Sequence, residues 1–530
     1  MGVISERAAL ERTALGVEVP WARIAPALLA AVLATAYVAV APQSLDLAAH
    51  MFRAHLFASE GFGIWNNAWY GGHPVVMYSV LFPAVAAALT PQLAAALAVI
   101  GTAALFEPLA RRHFGPNAWL GALWFAAGAA TSLYTGRLTF AFGLLPAVAS
   151  MLALQRRRLL LAAALAALTA LCSPVAALFV ALGGAAAAFG SNERAGGIAV
   201  ALAALAPVAL LAVAFPEGGT EPFVFSAFWA LPVIAAGLAI LTFERERVLF
   251  AGVVLYGIAT ILSYLIPTAV GSNIGRLEEL AAGPLVALLL WPARRMLLLI
   301  AALPLLYLQW HAPVRDVSNA GGEAMTSAYY QPLLSFLERQ GGPPFRIEIP
   351  FTKFHWEAYA VAPHVPLARG WERQLDIEYN PLFYDGGLTA ARYDRWLHDR
   401  AVRFVAVADA PLDYSAVGER RLIDRGLPYL RAVWRSPHWR VYAVADPTPI
   451  AQGAATLKHL GPNWFSLYAA RRGSTLVRIQ WSPYWELTSG HGCVAPAGSL
   501  TRLVLSQPGP ATVAIRFSLG RIGAGSARCS

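Results

Sequence analysis

The sequence predicts a mainly α-helical, polytopic membrane protein with a water-exposed region at its C-terminal end. Of its 530 residues, 58% are hydrophobic and only 13% are charged, which is more apolar surface than a soluble domain normally buries. The apolar residues are concentrated before Val314, whereas the chain from Arg315 to Ser530 has the composition of an ordinary soluble protein. We therefore expect a lipid-embedded region followed by a soluble one.

The apolar runs before Val314 are predicted to be transmembrane helices. A span needs about 20 apolar residues, and lipid offers the backbone no hydrogen-bonding partner, so each run must form a helix. About eleven runs qualify, near residues 24–42, 91–110, 117–134, 139–155, 159–172, 175–190, 198–214, 226–243, 248–266, 279–292 and 296–311. No small-residue cleavage site follows the first run, so we predict that it is retained as the first helix.

The distribution of arginine predicts the orientation of these spans. Lys and Arg accumulate in cytoplasmic loops, and most arginine clusters between the spans fall on the cytoplasmic side if the N-terminus is cytoplasmic. An odd number of spans then places the C-terminal region outside. Three arginines oppose the rule on the outer side, namely Arg53, Arg137 and Arg276. The net charge of +10 is thus explained by membrane orientation, and no nucleic-acid partner is predicted.

Three domains are expected, with the helical domain covering residues 1–311. An α/β domain is predicted over residues 312–448 from alternating β-like and helical runs at 331–339, 345–351, 390–398, 402–407 and 439–444. Alternating strands separated by Gly, Pro and Ser turns predict a β-sandwich over residues 449–530. If this region lies outside the cytoplasm, Cys493 and Cys529 can form a disulfide.

Between the first two spans lies the densest polar and aromatic cluster of the membrane region. Asp46, His50 and Arg53 fall at positions i, i+4 and i+7, so on a helix they share one face. A carboxylate flanked by two cations stays ionised and can accept a proton from an attacking hydroxyl, which is the task of a general base. The same spacing fits a carboxylate that caps a surface helix with a solvated face, and both interpretations stay open.

The stretch that follows, from Glu60 to Pro74, contains further candidates for ligand binding. Residues 65–74 fit an interfacial aromatic belt, which membrane proteins commonly have, or a platform on which flat indole faces pack against sugar rings. The candidate contacts are Glu60, Trp65, Asn66, Trp69 and His73.

These residues carry a resemblance to a known superfamily. A first span followed by Asp46-x-x-x-His50-x-x-Arg53, then by Gly-x-x-x-Trp-Asn and Gly-x-Pro, resembles the GT-C superfamily of membrane glycosyltransferases. It is most similar to bacterial members described as uncharacterised or 6-pyruvoyl-tetrahydropterin-synthase-related membrane proteins. The resemblance extends to Tyr134-Thr-Gly-Arg137 and Asn273-Ile-Gly-Arg276.

The resemblance implies an activity and a location. Members take a sugar from a polyprenyl-phosphate donor and pass it, with inversion, to a glycan or lipid acceptor outside the cytoplasm. An acidic residue of the first outer loop acts as the base, and only Asp46 matches that residue. The expected location is a bacterial inner (plasma) membrane, with membrane lipid and the lipid-linked sugar as partners.

The chain departs from the superfamily pattern around Asp46. Leu45 and Leu47 flank this residue, so the paired acidic motif of many members is missing, and a second carboxylate has to come from Glu60 or Glu278. Without an acidic pair, neither a metal nor another cofactor is predicted. The histidine-ligated zinc site that the synthase description implies is not found in the sequence.

The arginines on the outer side are the predicted phosphate ligands. Arg137 and Arg276 can stabilise the charge of a departing lipid phosphate, although arginines at outer helix ends also snorkel to lipid headgroups. His50 and Arg53 are expected to orient Asp46 or to bind the donor.

The soluble region is expected to contact the acceptor or to pack against the membrane domain. The residues that fit either role are Trp371, Glu372, Arg373, Trp481, Tyr484 and Trp485. Two rival functions are a non-catalytic envelope scaffold that binds glycan or protein, and a transporter or flippase. A transporter predicts charged residues midway along its spans, whereas the spans here are almost purely Ala, Leu and Val.

Overall fold

The computed structural model describes residues 20–244, 246–523 and 529, which form two compact units. Of the described residues, the first unit contains 20–44, Tyr78–Leu210 and Glu221–Ala320; the second contains Leu45–Met77, Leu211–Thr220 and those from Gly321 onward. Each unit is therefore built from separate stretches of the sequence. The loop that follows the first predicted span belongs to the second unit.

Helices make up the first unit and recur in the second. In chain order they are α1 (Ala25–Val40), α2 (Leu47–Glu60), α3 (Phe82–Leu89), α4 (Pro91–Phe114), α5 (Trp119–Tyr134), α6 (Leu138–Gln155), α7 (Leu159–Cys172), α8 (Pro174–Gly190), α9 (Arg194–Ala214), α10 (Phe225–Phe228), α11 (Ala230–Thr242), α12 (Arg247–Leu265), α13 (Gly275–Leu290), α14 (Arg295–Ser318), α15 (Ser327–Glu338), α16 (Glu357–Ala360), α17 (Arg373–Tyr379), α18 (Ala390–Asp399) and α19 (Val417–Asp424). The mainly helical prediction is confirmed, and each predicted span overlaps a helix.

Several helices of the first unit have the length and composition of membrane spans. Among the described residues, six stretches qualify, namely Pro91–Tyr134, Leu138–Gln155, Arg194–Ala214, Phe225–Thr242, Arg247–Leu265 and Arg295–Ser318. The apolar helices α1, α7 and α8 are shorter. The number of about eleven spans stays a prediction.

The helices of the first unit differ in how far protein covers them. The apolar window of α6 is 72% buried, whereas those of α12 and α14 are only 17% buried. Their uncovered side chains include large apolar residues such as Leu303, which is 76% exposed. Such a surface is unfavourable in water and suits acyl chains.

Small residues allow two of these helices to approach each other closely. A Cβ atom on Gly184 of α8 would lie 2.7 Å from the carbonyl oxygen of Gly197 in α9. Helix association in lipid depends on such backbone approach, because there is no hydrophobic driving force between helices.

Strands are concentrated in the second unit. In chain order they are β1 (Trp65–Asn66), β2 (His73–Pro74), β3 (Arg346–Glu348), β4 (Val402–Ala408), β5 (Leu430–Arg435), β6 (Trp439–Val444), β7 (Ala451–Gly453), β8 (Ala455–Leu460), β9 (Trp464–Ala469), β10 (Gly473–Gln480), β11 (Trp485–Ser489), β12 (Gly492–Ala497), β13 (Leu500–Leu505) and β14 (Gly509–Ile515). The predicted C-terminal sheet region is confirmed.

The α/β part of the second unit is built on a mixed sheet in the order β3-β4-β6-β5. Strands β3 and β4 are parallel, and the other neighbours are antiparallel. Tyr393 and Leu397 of α18 and Ile423 of α19 pack in one apolar core with Val405 of the sheet.

The C-terminal part contains two four-stranded antiparallel sheets, β12-β13-β10-β7 and β11-β14-β9-β8. They share a core that includes Phe465, Val477 and Trp485, and Trp65 from the loop after α1 also packs in this core. Cys493 is paired with Cys529 in a disulfide.

Candidate functional site

Asp46 is placed at the beginning of α2. It precedes the first helical residue, Leu47, and its side chain forms no capping hydrogen bond with the helix. The residue is half-buried. Partial positive charge at a helix N-terminus stabilises an ionised carboxylate, so the position suits a proton acceptor.

His50 and Arg53 lie on α2, as their spacing requires, and both are almost fully buried in the second unit. The Arg53 guanidinium forms an ion pair with Glu372, and its central carbon lies 5.7 Å from the ring centroid of Trp69. The charge of Arg53 is therefore balanced by a carboxylate of the second unit.

Glu60 lies at the other end of the same helix and is exposed. A helix rises about 1.5 Å per residue, so Glu60 is about 21 Å along the axis from Asp46. These two carboxylates are too far apart to act on one proton, and Glu60 cannot supply the missing acidic pair.

The indoles of the loop are in the interior of the second unit. Trp65 packs edge-on against Trp485 with 5.5 Å between ring centroids. Trp69 stacks on Phe52 at 4.3 Å, and its Nε1 donates to the carbonyl oxygen of Ala358. Because protein covers both rings, a sugar-stacking role for them stays a prediction.

Asn66 and His73 are also buried. They are paired residues of the β1–β2 ribbon, and His73 Nε2 lies 3.5 Å from Asn66 Nδ2. On the other side of the imidazole, Nδ1 lies 3.3 Å from Glu217 Oε1. This contact joins the loop to the 211–220 segment of the same unit.

In the first unit, the two predicted phosphate ligands lie on neighbouring elements. Arg137, immediately before α6, forms an ion pair with Glu279 of α13. Arg276, in the first turn of α13, lies with its guanidinium carbon 5.6 Å from the ring centroid of Phe140 in α6. Glu278 is buried beside them on α13. The structure thus brings Arg137, Arg276 and Glu278 to one end of α13, whereas Asp46 belongs to the second unit.

The predicted acceptor contacts are mostly interior residues of the second unit. Trp371, Tyr484 and Trp485 are buried. Glu372 is paired with Arg53, and Arg373 donates to both carboxylate oxygens of Asp413, at 3.0 and 2.6 Å. Core packing accounts for these side chains, and their contact with an acceptor stays a prediction.

A buried ionic cluster around Arg369 was not foreseen from the sequence. Its guanidinium lies 2.6 Å from Asp376, 3.3 Å from Glu419 and 3.9 Å from Glu348. Burial raises the pKa of Glu419 to about 7, although Arg369 opposes the shift. Burial, followed by repulsion from Glu419, also raises the pKa of Glu348. The cluster joins β3, α17 and α19.

Near this cluster, the His355 imidazole stacks on Trp371 with 3.3 Å between ring centroids. Its two ring nitrogens lie 3.7 Å from Glu357 and from Asp413. Burial opposes ionisation of Asp413, but the nearby His355 imidazole and the hydrogen bonds from Arg373 hold the pKa of this carboxyl well below its usual range. The charged residues inside the apolar run Phe345–Phe351 are the sequence signal for such an interior network.

Within the described part of the chain, no three His, Cys, Asp or Glu side chains are grouped so that they could hold a metal ion.

Comparisons with known proteins give only weak structural likeness. No protein-family model matches the sequence, and no curated protein matches it. Among solved structures, the chain is similar to an archaeal oligosaccharyltransferase from Archaeoglobus fulgidus in complex with an inhibitory peptide and a dolichol-phosphate. The TM-score is 0.47 at 10% identity, over 73% of this chain and 69% of that chain. A likeness at this level assigns neither a family nor an activity to this chain.

Proposed function

We propose that the chain is an integral membrane glycosyltransferase of the inner (plasma) membrane. It transfers a sugar, with inversion, from a polyprenyl-phosphate donor to a glycan or lipid acceptor on the non-cytoplasmic side. The observation that carries the proposal is the place of Asp46, a half-buried carboxylate at a helix N-terminus, directly after the first apolar helix and within the same compact unit as the C-terminal region.

The chain segments that make up the second unit support the predicted number of membrane crossings between them. Its stretches 45–77, 211–220 and 321 onward are compact together, and one water-exposed unit lies on one side of a bilayer. The chain must therefore cross the membrane an even number of times between successive stretches. The predicted spans number six between the first two stretches and four between the last two, so both intervals satisfy this condition. The arginine bias then assigns the unit to the outer side.

In the proposed reaction, Asp46 removes the proton of the acceptor hydroxyl as its oxygen attacks the anomeric carbon. The bond from that carbon to the phosphate oxygen breaks, and its electron pair leaves with the lipid phosphate. Arg137 and Arg276 stabilise the charge that develops on the phosphate oxygens. Removing one such donor costs about 2.7–4 kcal/mol of transition-state stabilisation.

A scaffold without catalytic activity is the second candidate. It is favoured by the way the loop after α1 is built into the second unit, because Trp69, Tyr70 and His73 bond to residues far away in the sequence. In a scaffold, Asp46 would have no chemical task.

The test supplies membranes containing the full chain with labelled polyprenyl-phosphate sugars and measures labelled glycan or glycolipid. Loss of a general base typically lowers a rate about 10²- to 10⁴-fold, so we expect Asp46→Asn to lose product to that extent. Glu338→Gln is the matched control, because Glu338 is an exposed carboxylate of α15 in the same unit.

Equal product from the wild type and Asp46→Asn would refute the assigned base. A wild-type chain that yields no product with any donor would favour the scaffold.

A further inference from the structure

A small cavity opens at the surface of the second unit, away from the residues assigned to sugar transfer. It has a volume of about 150 Å³ and lies where α2, α15 and the chain around α16 meet. Pockets for drug-sized ligands measure roughly 300–1,000 Å³. The cavity therefore fits a ligand the size of a single ring.

The cavity is lined by both apolar and polar side chains. Leu334 and Pro363 supply apolar surface, and the polar side chains are those of His55, Gln331, Tyr359 and His364, together with one serine hydroxyl. Imidazole, carboxamide and phenol groups both donate and accept hydrogen bonds. Among the hydrogen bonds of the described residues, none occupies the side chains of Gln331, Tyr359 or His364, so these groups are available to a ligand.

The same lining excludes other classes of ligand. None of the lining residues is Arg, Lys, Asp or Glu, whereas phosphate and carboxylate ligands are held by guanidinium or ammonium groups. A lipid tail would require an apolar wall throughout. A neutral, polyhydroxylated ring matches both kinds of lining group, because its hydroxyls can bond to the polar side chains while its C–H face packs against Leu334 and Pro363.

We propose that this cavity binds one uncharged sugar residue. His55 lies nine residues after Asp46 on α2, which is about 13 Å along the helix axis. The cavity is thus a separate site from the proposed base. Binding there does not depend on the transfer reaction, so the two proposals fail independently.

The experiment measures saturation transfer by NMR from the full-length protein, in lipid nanodiscs, to the methyl glycosides of neutral hexoses. For a ligand of this size we expect a Kd on the order of 1 mM. Gln331→Ala and His364→Ala each remove one hydrogen-bonding group and are expected to weaken binding about fivefold. His491→Ala, an exposed histidine elsewhere in the unit, is the control and keeps wild-type affinity.

Three outcomes would overturn the proposal. The first is the absence of transfer to every sugar at concentrations well above a millimolar. The second is equal affinity in the wild type and both cavity variants, which would place any sugar elsewhere. The third is binding of short uncharged peptides, but not of sugars, that the cavity variants weaken.

Discussion

The two units of the molecule differ in the surface that they expose and in the ionic groups that they bury. In the first unit, long helices expose large apolar side chains such as Leu303, and the ionic residues Arg137 and Glu279 pair at helix ends. The second unit also holds one ionic cluster, Arg369 and its carboxylate partners, that is completely buried. The difference reflects the solvent, because acyl chains accept an apolar exterior, whereas a water-soluble unit can bury ions only when they are paired.

The largest loss of stability is expected in the buried ionic cluster of the second unit. Arg369→Met leaves Asp376, Glu419 and Glu348 without their cation, and breaking a buried pair in this way costs about 3–5 kcal/mol. The measurement is denaturant unfolding of the purified full chain, followed by tryptophan fluorescence.

The control for this variant is Arg425→Met, since Arg425 is exposed and such a surface change stays within about 0.5 kcal/mol. Equal unfolding midpoints for both variants would show that the buried cluster around Arg369 does not stabilise the fold.

The next largest effect concerns the surface of each unit, where one exposed leucine in each is replaced by arginine. Leu303 and Leu519 are 76% and 75% exposed, in the first and second unit respectively. Leu303→Arg places a charge midway along a predicted span and is expected to cost about 2.5–3.5 kcal/mol of insertion free energy, whereas Leu519→Arg is expected to be neutral. The measurement is the fraction of chain that is inserted in membranes. Equal insertion of the two variants would mean that the exposed face of α14 does not contact lipid.

A smaller effect is expected at the close approach of α8 and α9. Gly184→Ala forces a Cβ atom against the backbone of Gly197, and overpacking of this kind costs about 1–3 kcal/mol. Thermal unfolding in detergent measures it. Gly237→Ala is the control, because nothing lies within 4 Å of a Cβ atom at that glycine; a matching loss of stability there would refute the packing argument.

The last effect is a pH dependence in the second unit. The pKa of Glu419 is raised from 4.5 to about 7 on folding, so between these values the folded state binds a proton that the unfolded state releases. The contribution of Glu419 to stability is therefore full below pH 4.5 and falls as the pH rises towards 7, by up to about 1.4 kcal/mol per pH unit. Glu419→Gln is expected to flatten this slope in denaturant unfolding measured from pH 5 to 8, and Glu338→Gln is expected to keep it. An unchanged slope in Glu419→Gln would show that Glu419 does not cause the pH dependence of stability.

The elements of the first unit were largely predictable from the sequence. Apolar runs mark its helices because the backbone has no other way to satisfy its hydrogen bonds in lipid. The break between α7 and α8 was visible at Ser173-Pro174, where the Ser173 hydroxyl now accepts from the amide of Ala176. The short helix α3 was not foreseen.

The second unit was predicted less completely. Strands such as β8 and β9 were not identified. The loop after α1 belongs to the second unit because of long-range contacts. For example, the Tyr70 hydroxyl donates to the carbonyl oxygen of Gly370. Tertiary packing determines which carboxylate pairs with Arg53, and this carboxylate is Glu372. The spacing of residues along one helix cannot reveal such a partner.

The most direct test of the central claim concerns the side of the membrane on which Asp46 lies. Right-side-out vesicles carrying Ser59→Cys, Ser506→Cys or Arg157→Cys, all exposed positions, are treated with a membrane-impermeant maleimide. We expect labelling at 59 and 506 in intact vesicles, and at 157 only after permeabilisation. Labelling at 59 only after permeabilisation would place Asp46 in the cytoplasm and contradict the proposed transfer reaction.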